Sequence, residues 1–179
     1  EALTSIVGAK GILLGTDVSD RPNASMGMGS CVAKAIVRPK STQELSQVMK
    51  YCHQQGQVVV PWGGLTGLVN GITCASDDIA ISLERMRTIE RIDAEAGTMI
   101  VQAGAVLQSV QEAAKEAGWQ YAIDFGARGS ANIGGTISTN AGGNSVVRYG
   151  MTREQVLGLE AVLADGTVIS SMNEILKMI

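Results

Sequence analysis

VVVPWGGLTGLVNG, residues 58–71, decides how this chain is read. Three β-branched residues run into Pro61. Gly63, Gly64, Gly67 and Gly71 follow, with Thr66 among them and no charged residue from 61 to 71. A continuous β-branched run predicts a strand buried on both faces. A strand that opens into glycines lets a ligand come close to the backbone, because without Cβ atoms several N–H groups can converge on one anion. A diphosphate is the natural guest, since it takes many donors and tolerates no side-chain crowding. A tight glycine turn that binds nothing is the alternative. Neither familiar phosphate loop fits. The P-loop needs a Lys after its glycines, and none follows here. The Rossmann fingerprint needs a different glycine spacing and a helix behind it.

The flanks extend the pattern. AIVRP from Ala35 reads as a short strand stopped by Pro39. Ser41 and Glu44 form an S-x-x-E capping box, opening a helix whose apolar face is Leu45, Val48, Met49 and Cys52 and which Gly56 stops. IAISL (79–83) is the next strand. A second unit begins near Ile89. IERID and TMIVQAG predict a hairpin, and AVLQSVQEAAKEAG a helix with Val106, Val110, Ala113 and Ala117 on one stripe. LGLEAVLA and TVIS flank Asp165-Gly166, a strong hairpin signal. Residues 1–33 read as irregular and polar, and SMNEILKMI (171–179) as helix-like. The expected fold class is α+β with two lobes: an N-terminal segment (1–34), a first lobe (35–88) and a second, incomplete lobe (89–179).

Composition narrows the function. Glycine makes up 22 of 179 residues, well above the usual share of about 7 %. The net charge of −3 and the lack of a Lys/Arg cluster predict no nucleic-acid partner. No apolar run approaches the roughly 20 residues of a membrane helix. The opening EALTSIVGAK has no signal layout and predicts a soluble chain. Cys31, Cys52 and Cys74 form no CxxC pair, and three scattered cysteines predict reduced, inert thiols in a cytoplasmic setting.

The second small-residue stretch is DFGARGSANIGGTISTNAGGNSVVRYG, residues 124–150. Ser130, Asn132, Thr136, Thr139 and Asn140 are its polar handles. It suits either an extended ligand lying against backbone or a tightly packed helix. Together the two stretches resemble a known family. PWGGLTGLVNG resembles the pyrophosphate loop of the FAD-binding domain of vanillyl-alcohol-oxidase and p-cresol-methylhydroxylase (PCMH) type flavoproteins. The second stretch, with VLGLEAVLADGTV, resembles the branch of FAD-dependent D-2-hydroxyacid dehydrogenases, which act on lactate, glycolate or 2-hydroxyglutarate. The resemblance spans about residues 35–170.

By this resemblance, Pro61, Trp62, Gly63, Gly64, Leu65, Thr66, Gly67 and Leu68 wrap the FAD pyrophosphate. Gly129, Ser130, Gly134 and Gly135 lie along the ribityl and phosphate portion, and Asn140, Ala141 and Gly142 approach the flavin. The implied function is the FAD-binding part of an oxidoreductase that passes a hydride from a D-2-hydroxyacid to flavin N5. The alternatives are a short non-catalytic flavin-binding or interaction protein, and an FAD oxidase of a sugar lactone or aryl alcohol. Trp62 stands where relatives often have Arg or Gln, Leu65 where they often have Gly or Asn, and Asn70 where Gly is common. Neither stretch holds a His or Cys, so the FAD is expected to be non-covalent. The sole histidine, His53, reads as a surface residue. No catalytic base or metal-ligand cluster is expected here, because family members carry theirs in a further, substrate-capping part. The isolated chain is expected to be inactive, to hold FAD weakly or not at all, and to self-associate through exposed apolar surface. Arg85, Arg87, Glu90 and Arg91 read as a solvated face. The segment DRPNASMGMG (20–29) fits the family poorly and is given no role.

Overall fold

The computed structural model describes residues 1–172, so most of the helix-like stretch expected at 171–179 lies outside the described residues. The chain opens with helix α1 (Ala2–Val7), strand β1 (Ile12–Leu13) and helix α2 (Thr16–Ser19), where irregular chain was expected. Strand β2 (Ala35–Val37) and helix α3 (Thr42–Gln54) follow. Ser41 Oγ accepts from the Glu44 N–H at 3.2 Å. The Glu44 carboxylate reaches back one residue further than a capping box requires, accepting from the Lys40 N–H at 2.9 Å.

Strands β3 (Val59–Trp62) and β4 (Ile79–Ser82) complete a four-stranded sheet of order β1-β2-β4-β3. β1 runs antiparallel to β2, whereas β2 and β3 both run parallel to β4. The valine run is therefore an edge strand, which corrects the expectation of burial on both faces. Val58 and Pro61 are exposed, and the strands enclosed on both sides are β2 and β4. β-Branched composition does not distinguish edge from centre, but Pro61 does, since a residue without an N–H is tolerated at a sheet edge. Because β3 and β4 are parallel, they need a crossover of a dozen or more residues. Residues 63–78, the glycine loop included, are that crossover.

One face of the sheet packs Val37, Ile79 and Ile81 against Val7 of α1 and Val48 and Cys52 of α3. The other face packs Ile36, Ala80 and Trp62 against Val18, Cys31 and Cys74. A separate core lies between the antiparallel hairpin of β5 (Ile89–Asp93) and β6 (Thr98–Val101) and helices α4 (Leu107–Glu116) and α5 (Ile133–Thr139). The buried stripe of α4 is Leu107, Val110 and Ala114, which shares only Val110 with the expected Val106, Val110, Ala113 and Ala117. The helix starts two residues later than expected, and Val106 becomes its N-cap.

After α6 (Val146–Tyr149), β7 (Glu160–Val162) and β8 (Val168–Ser170) form an antiparallel hairpin. Its turn closes with the Gly166 N–H donating to Leu163 O at 3.0 Å and with Gly166 left-handed at φ +88. The hairpin tip rests on α3, where Ser46 Oγ donates to Gly166 O at 2.6 Å.

Candidate functional site

β3 delivers its chain at Trp62, where the indole is 2 % exposed and its N–H donates to Ile72 O at 2.8 Å. This pins the far end of the glycine loop to its start. Trp62 thus acts as a core anchor. Leu65 stands at φ +55 and Asn70 at φ +56. Both are in the left-handed region, where asparagine is one of the better-tolerated non-glycine residues. Asn70 also uses its side chain, accepting from the Ser25 N–H at 2.8 Å. Asn23 makes a double contact with the Cys74 backbone, at 3.0 and 3.2 Å. The N-terminal segment given no role from sequence is therefore the brace of the glycine crossover.

The second stretch meets the first at Gly64. A Cβ there would lie 1.9 Å from Ser130 O and 2.9 Å from Ala131 Cα. Gly63 sits opposite Asn132 and Gly135, in ordinary van der Waals range. Between the two stretches lies a cleft of about 250 Å³ lined by Trp62, Gly63, Gly64, Leu65, Gly129, Ser130 and Asn132. Six of the expected site residues therefore share one cleft. Pro61 sits just before it in β3, and Thr66, Gly67 and Leu68 continue the loop beyond it. Gly134 and Gly135 are in the first turn of α5. Gly134 is tight against Ala103, so helix packing alone accounts for its glycine.

Asn140, Ala141 and Gly142 lie past the other end of α5 and do not line this cleft. They are firmly held. Asn140, at φ +50, accepts from the Arg153 N–H at 3.0 Å. The Arg153 guanidinium donates to Ile137 O and Ser138 O, at 2.9 and 2.7 Å, adding donors to the carbonyls of the last helical turn. Buried Thr152 holds Ala141 O at 2.6 Å through its hydroxyl.

Sequence reading missed the charged side of the cleft. Arg21, Ser82, Glu84 and Arg87 line it as well. The Glu84 carboxylate accepts from Arg21 at 3.1 and 3.2 Å and from Arg38 at 2.8 Å. Burial pushes the Glu84 carboxyl up, but the Arg38 hydrogen bond and the Arg21 charge outweigh it and hold the group below its ordinary value. Arg87 was read as part of a solvated face. It is exposed, but it stands at the mouth of this cleft. Asp124, by contrast, is a structural carboxylate, paired with Arg128 at 3.0 Å.

The donor set fits a diphosphate. Among the described residues, no hydrogen bond is donated by the backbone N–H groups of residues 63–71. Nor would any atom lie within 4 Å of a Cβ at Gly67 or Gly71. Free N–H donors on an uncrowded, partly left-handed loop are what an anion nest requires. The cleft is smaller than the roughly 300–1,000 Å³ of a complete small-molecule site, which suits one part of an extended cofactor.

Comparison with known proteins agrees. The family described as FAD binding domain matches residues 33–171. The chain belongs to this FAD-binding family. The FAD-binding chain is 42 % identical over 145 residues to the bovine mitochondrial D-2-hydroxyglutarate dehydrogenase, covering 81 % of this chain and 27 % of that protein. It is 44 % identical over 143 residues to the D-2-hydroxyglutarate dehydrogenase of Xanthomonas citri pv. viticola, covering 80 % of this chain and 30 % of that one. It therefore spans less than a third of the length of these relatives. Its fold is similar to alkyldihydroxyacetonephosphate synthase (TM-score 0.82, 18 % identity, 93 % of this chain and 32 % of that one). It is also similar to p-cresol methylhydroxylase (TM-score 0.75, 18 % identity, 94 % and 34 %). The fold is thus a partial FAD-binding domain of PCMH type.

The expected cytoplasmic setting is corrected. The bovine, zebrafish and Arabidopsis thaliana relatives are all named mitochondrial. Three buried free thiols fit any reducing compartment and do not single out the cytoplasm. No helix among the described residues is long and apolar enough to cross a membrane.

Proposed function

We propose that the chain is the FAD-binding part of a flavin-dependent dehydrogenase that oxidises a D-2-hydroxyacid of the 2-hydroxyglutarate, lactate or glycolate type. The observation that carries this reading is the meeting of the two glycine stretches at Gly64, in a chain 42 % identical over 145 residues to a D-2-hydroxyglutarate dehydrogenase. Bound FAD would supply the two-electron acceptor for the hydride that leaves the α-carbon. The chain's own part is binding and orientation. Residues 61–68 would hold the pyrophosphate through backbone N–H groups, with Gly129, Ser130, Gly134 and Gly135 alongside. Asn140, Ala141 and Gly142, fixed by Arg153 and Thr152, would support the flavin end.

The FAD is held non-covalently, as neither stretch offers a His or Cys. Residues 1–34 brace the site, 35–88 form the first lobe and 89–179 belong to the second. No catalytic residue is assigned to this chain. His53 is exposed on α3, apart from the cleft. Exposed Leu157, Leu159, Val168 and Ile169 support self-association of the isolated chain, which would appear in size-exclusion chromatography as a species larger than a monomer.

The test is to express the protein from its complete gene and record its visible spectrum. D-2-hydroxyglutarate, D-lactate and glycolate are then offered with an artificial electron acceptor. A flavin band and turnover of one of them are expected. Flavin without turnover of any hydroxyacid would retain the cofactor and remove the substrate class.

A further inference from the structure

The glycine loop carries no charge, yet a dinucleotide's diphosphate is a dianion. The structure supplies the missing charge from outside both glycine stretches. Arg87, in the linker after β4, and Arg21, in the N-terminal brace, line the cleft beside Gly63 and Gly64. Arg38 stands behind them on Glu84. Two guanidiniums thus hold one carboxylate, and the third, Arg87, lines the same cleft, so positive charge outnumbers negative there. The three are not equivalent. Arg21 and Arg38 share Glu84, and Arg38 also donates to Lys10 O at 2.5 Å. Arg87 has neither an ion pair nor a hydrogen bond among the described residues. It is therefore the cation able to turn to a ligand without breaking an existing contact.

We propose that Arg87 is the diphosphate-pairing residue of this site, with the Arg21–Glu84–Arg38 group as a fixed positive background. This rests on the FAD reading above. It reassigns charge recognition from the loop, where Trp62 is committed to the core, to the linker between the lobes. A guanidinium offers a phosphate oxygen a charge-assisted and often bidentate contact.

The experiment uses the protein from its complete gene, stripped of flavin and titrated with FAD by fluorescence at several salt concentrations. R87Q is expected to bind FAD about ten- to a hundredfold more weakly at low salt, the range for a lost hydrogen bond to a charged group. Its affinity should also depend less on salt than the wild type's, because one exposed ion pair is gone. R87K should regain the salt dependence and part of the affinity. R87Q binding FAD within twofold of wild type overturns the proposal and leaves the FAD reading intact. So does a loss of affinity with unchanged salt dependence, which marks a packing effect. A wild-type protein that binds no flavin overturns both.

Discussion

In the first glycine stretch, a Cβ placed on Gly67 or Gly71 would meet nothing within 4 Å. In the second, a Cβ on Gly143 would lie 2.1 Å from Asp124 O, one on Gly142 2.7 Å from Val146 and one on Gly134 2.8 Å from Ala103. The same residue type answers two different demands. Between 129 and 143 several glycines are small because protein presses on them. In the loop after β3, only Gly64 is under that pressure. Packing therefore explains much of the second stretch but little of the first, and a cofactor is the better account of the open glycines.

Substitution separates the two kinds. Gly64→Ala forces a Cβ onto the Ser130–Ala131 backbone, which cannot swing aside as a side-chain end could. It is expected to destabilise the protein by about 3 kcal/mol, the upper part of the usual overpacking range. Gly67→Ala meets no neighbour and has no positive φ. It should change stability by less than about 0.5 kcal/mol, as surface changes usually do, while weakening FAD binding in the protein from the complete gene. Urea unfolding and flavin titration of both variants check this. Equal stability losses would mean that the two glycines are not distinguished by their surroundings.

The next effect belongs to the charged wall. Glu84 is 19 % exposed and holds two arginines. Glu84→Gln should cost about 2 kcal/mol at neutral pH, within the range for hydrogen bonds to a charged group and below that for a fully buried pair. The folded carboxyl lies below its ordinary value of 4.5. Its stabilisation is therefore complete above the unfolded value and lost as pH falls through the folded one. The gap between wild type and variant in urea midpoint should be widest near neutrality and close as the pH drops below that ordinary value. A gap that widens in acid contradicts the ion-pair account.

Smaller again is the brace. Asn23→Ala removes both contacts to the Cys74 backbone and should cost about 1–2 kcal/mol, the sum expected of two net hydrogen bonds. Because this contact sits at the end of the crossover, amide hydrogen exchange around residues 70–74 should speed up before that of β4 does. Uniform acceleration across the sheet would mean that the segment does not act locally.

Local signals were legible in the sequence. The cap at Ser41, the β5–β6 hairpin and the Asp165-Gly166 turn depend on residues a few positions apart, where backbone preference decides. The glycine stretch after β3 was readable as a loop for the same reason. What escaped reading was distant pairing. Arg21 meets Glu84 63 residues away, and Asn23 meets Cys74 across 51. Neither side chain has a local pattern that announces its partner. The edge position of β3 was hidden as well, since valines suit edge and centre alike. Pro61 was the available clue.

Leu65 offers the smallest and sharpest test of the loop's shape. Its φ of +55 puts a branched aliphatic residue where glycine or asparagine is at home. The left-handed conformation costs roughly 1–2 kcal/mol for an ordinary residue. Leu65 recovers part of this by packing on the core that holds Trp62 and Ile36. Leu65→Asn relieves the backbone and gives up a partly buried side chain worth roughly 1 kcal/mol, so the net change should stay within about 0.5 kcal/mol. Leu65→Val keeps an apolar side chain of similar size but adds β-branching, which makes positive φ harder still. It should be about 1 kcal/mol worse than Asn, against the order that hydrophobic burial alone would set. Thermal unfolding of the two variants decides. If Val is the better tolerated, burial governs this position and the left-handed turn does not shape the glycine loop.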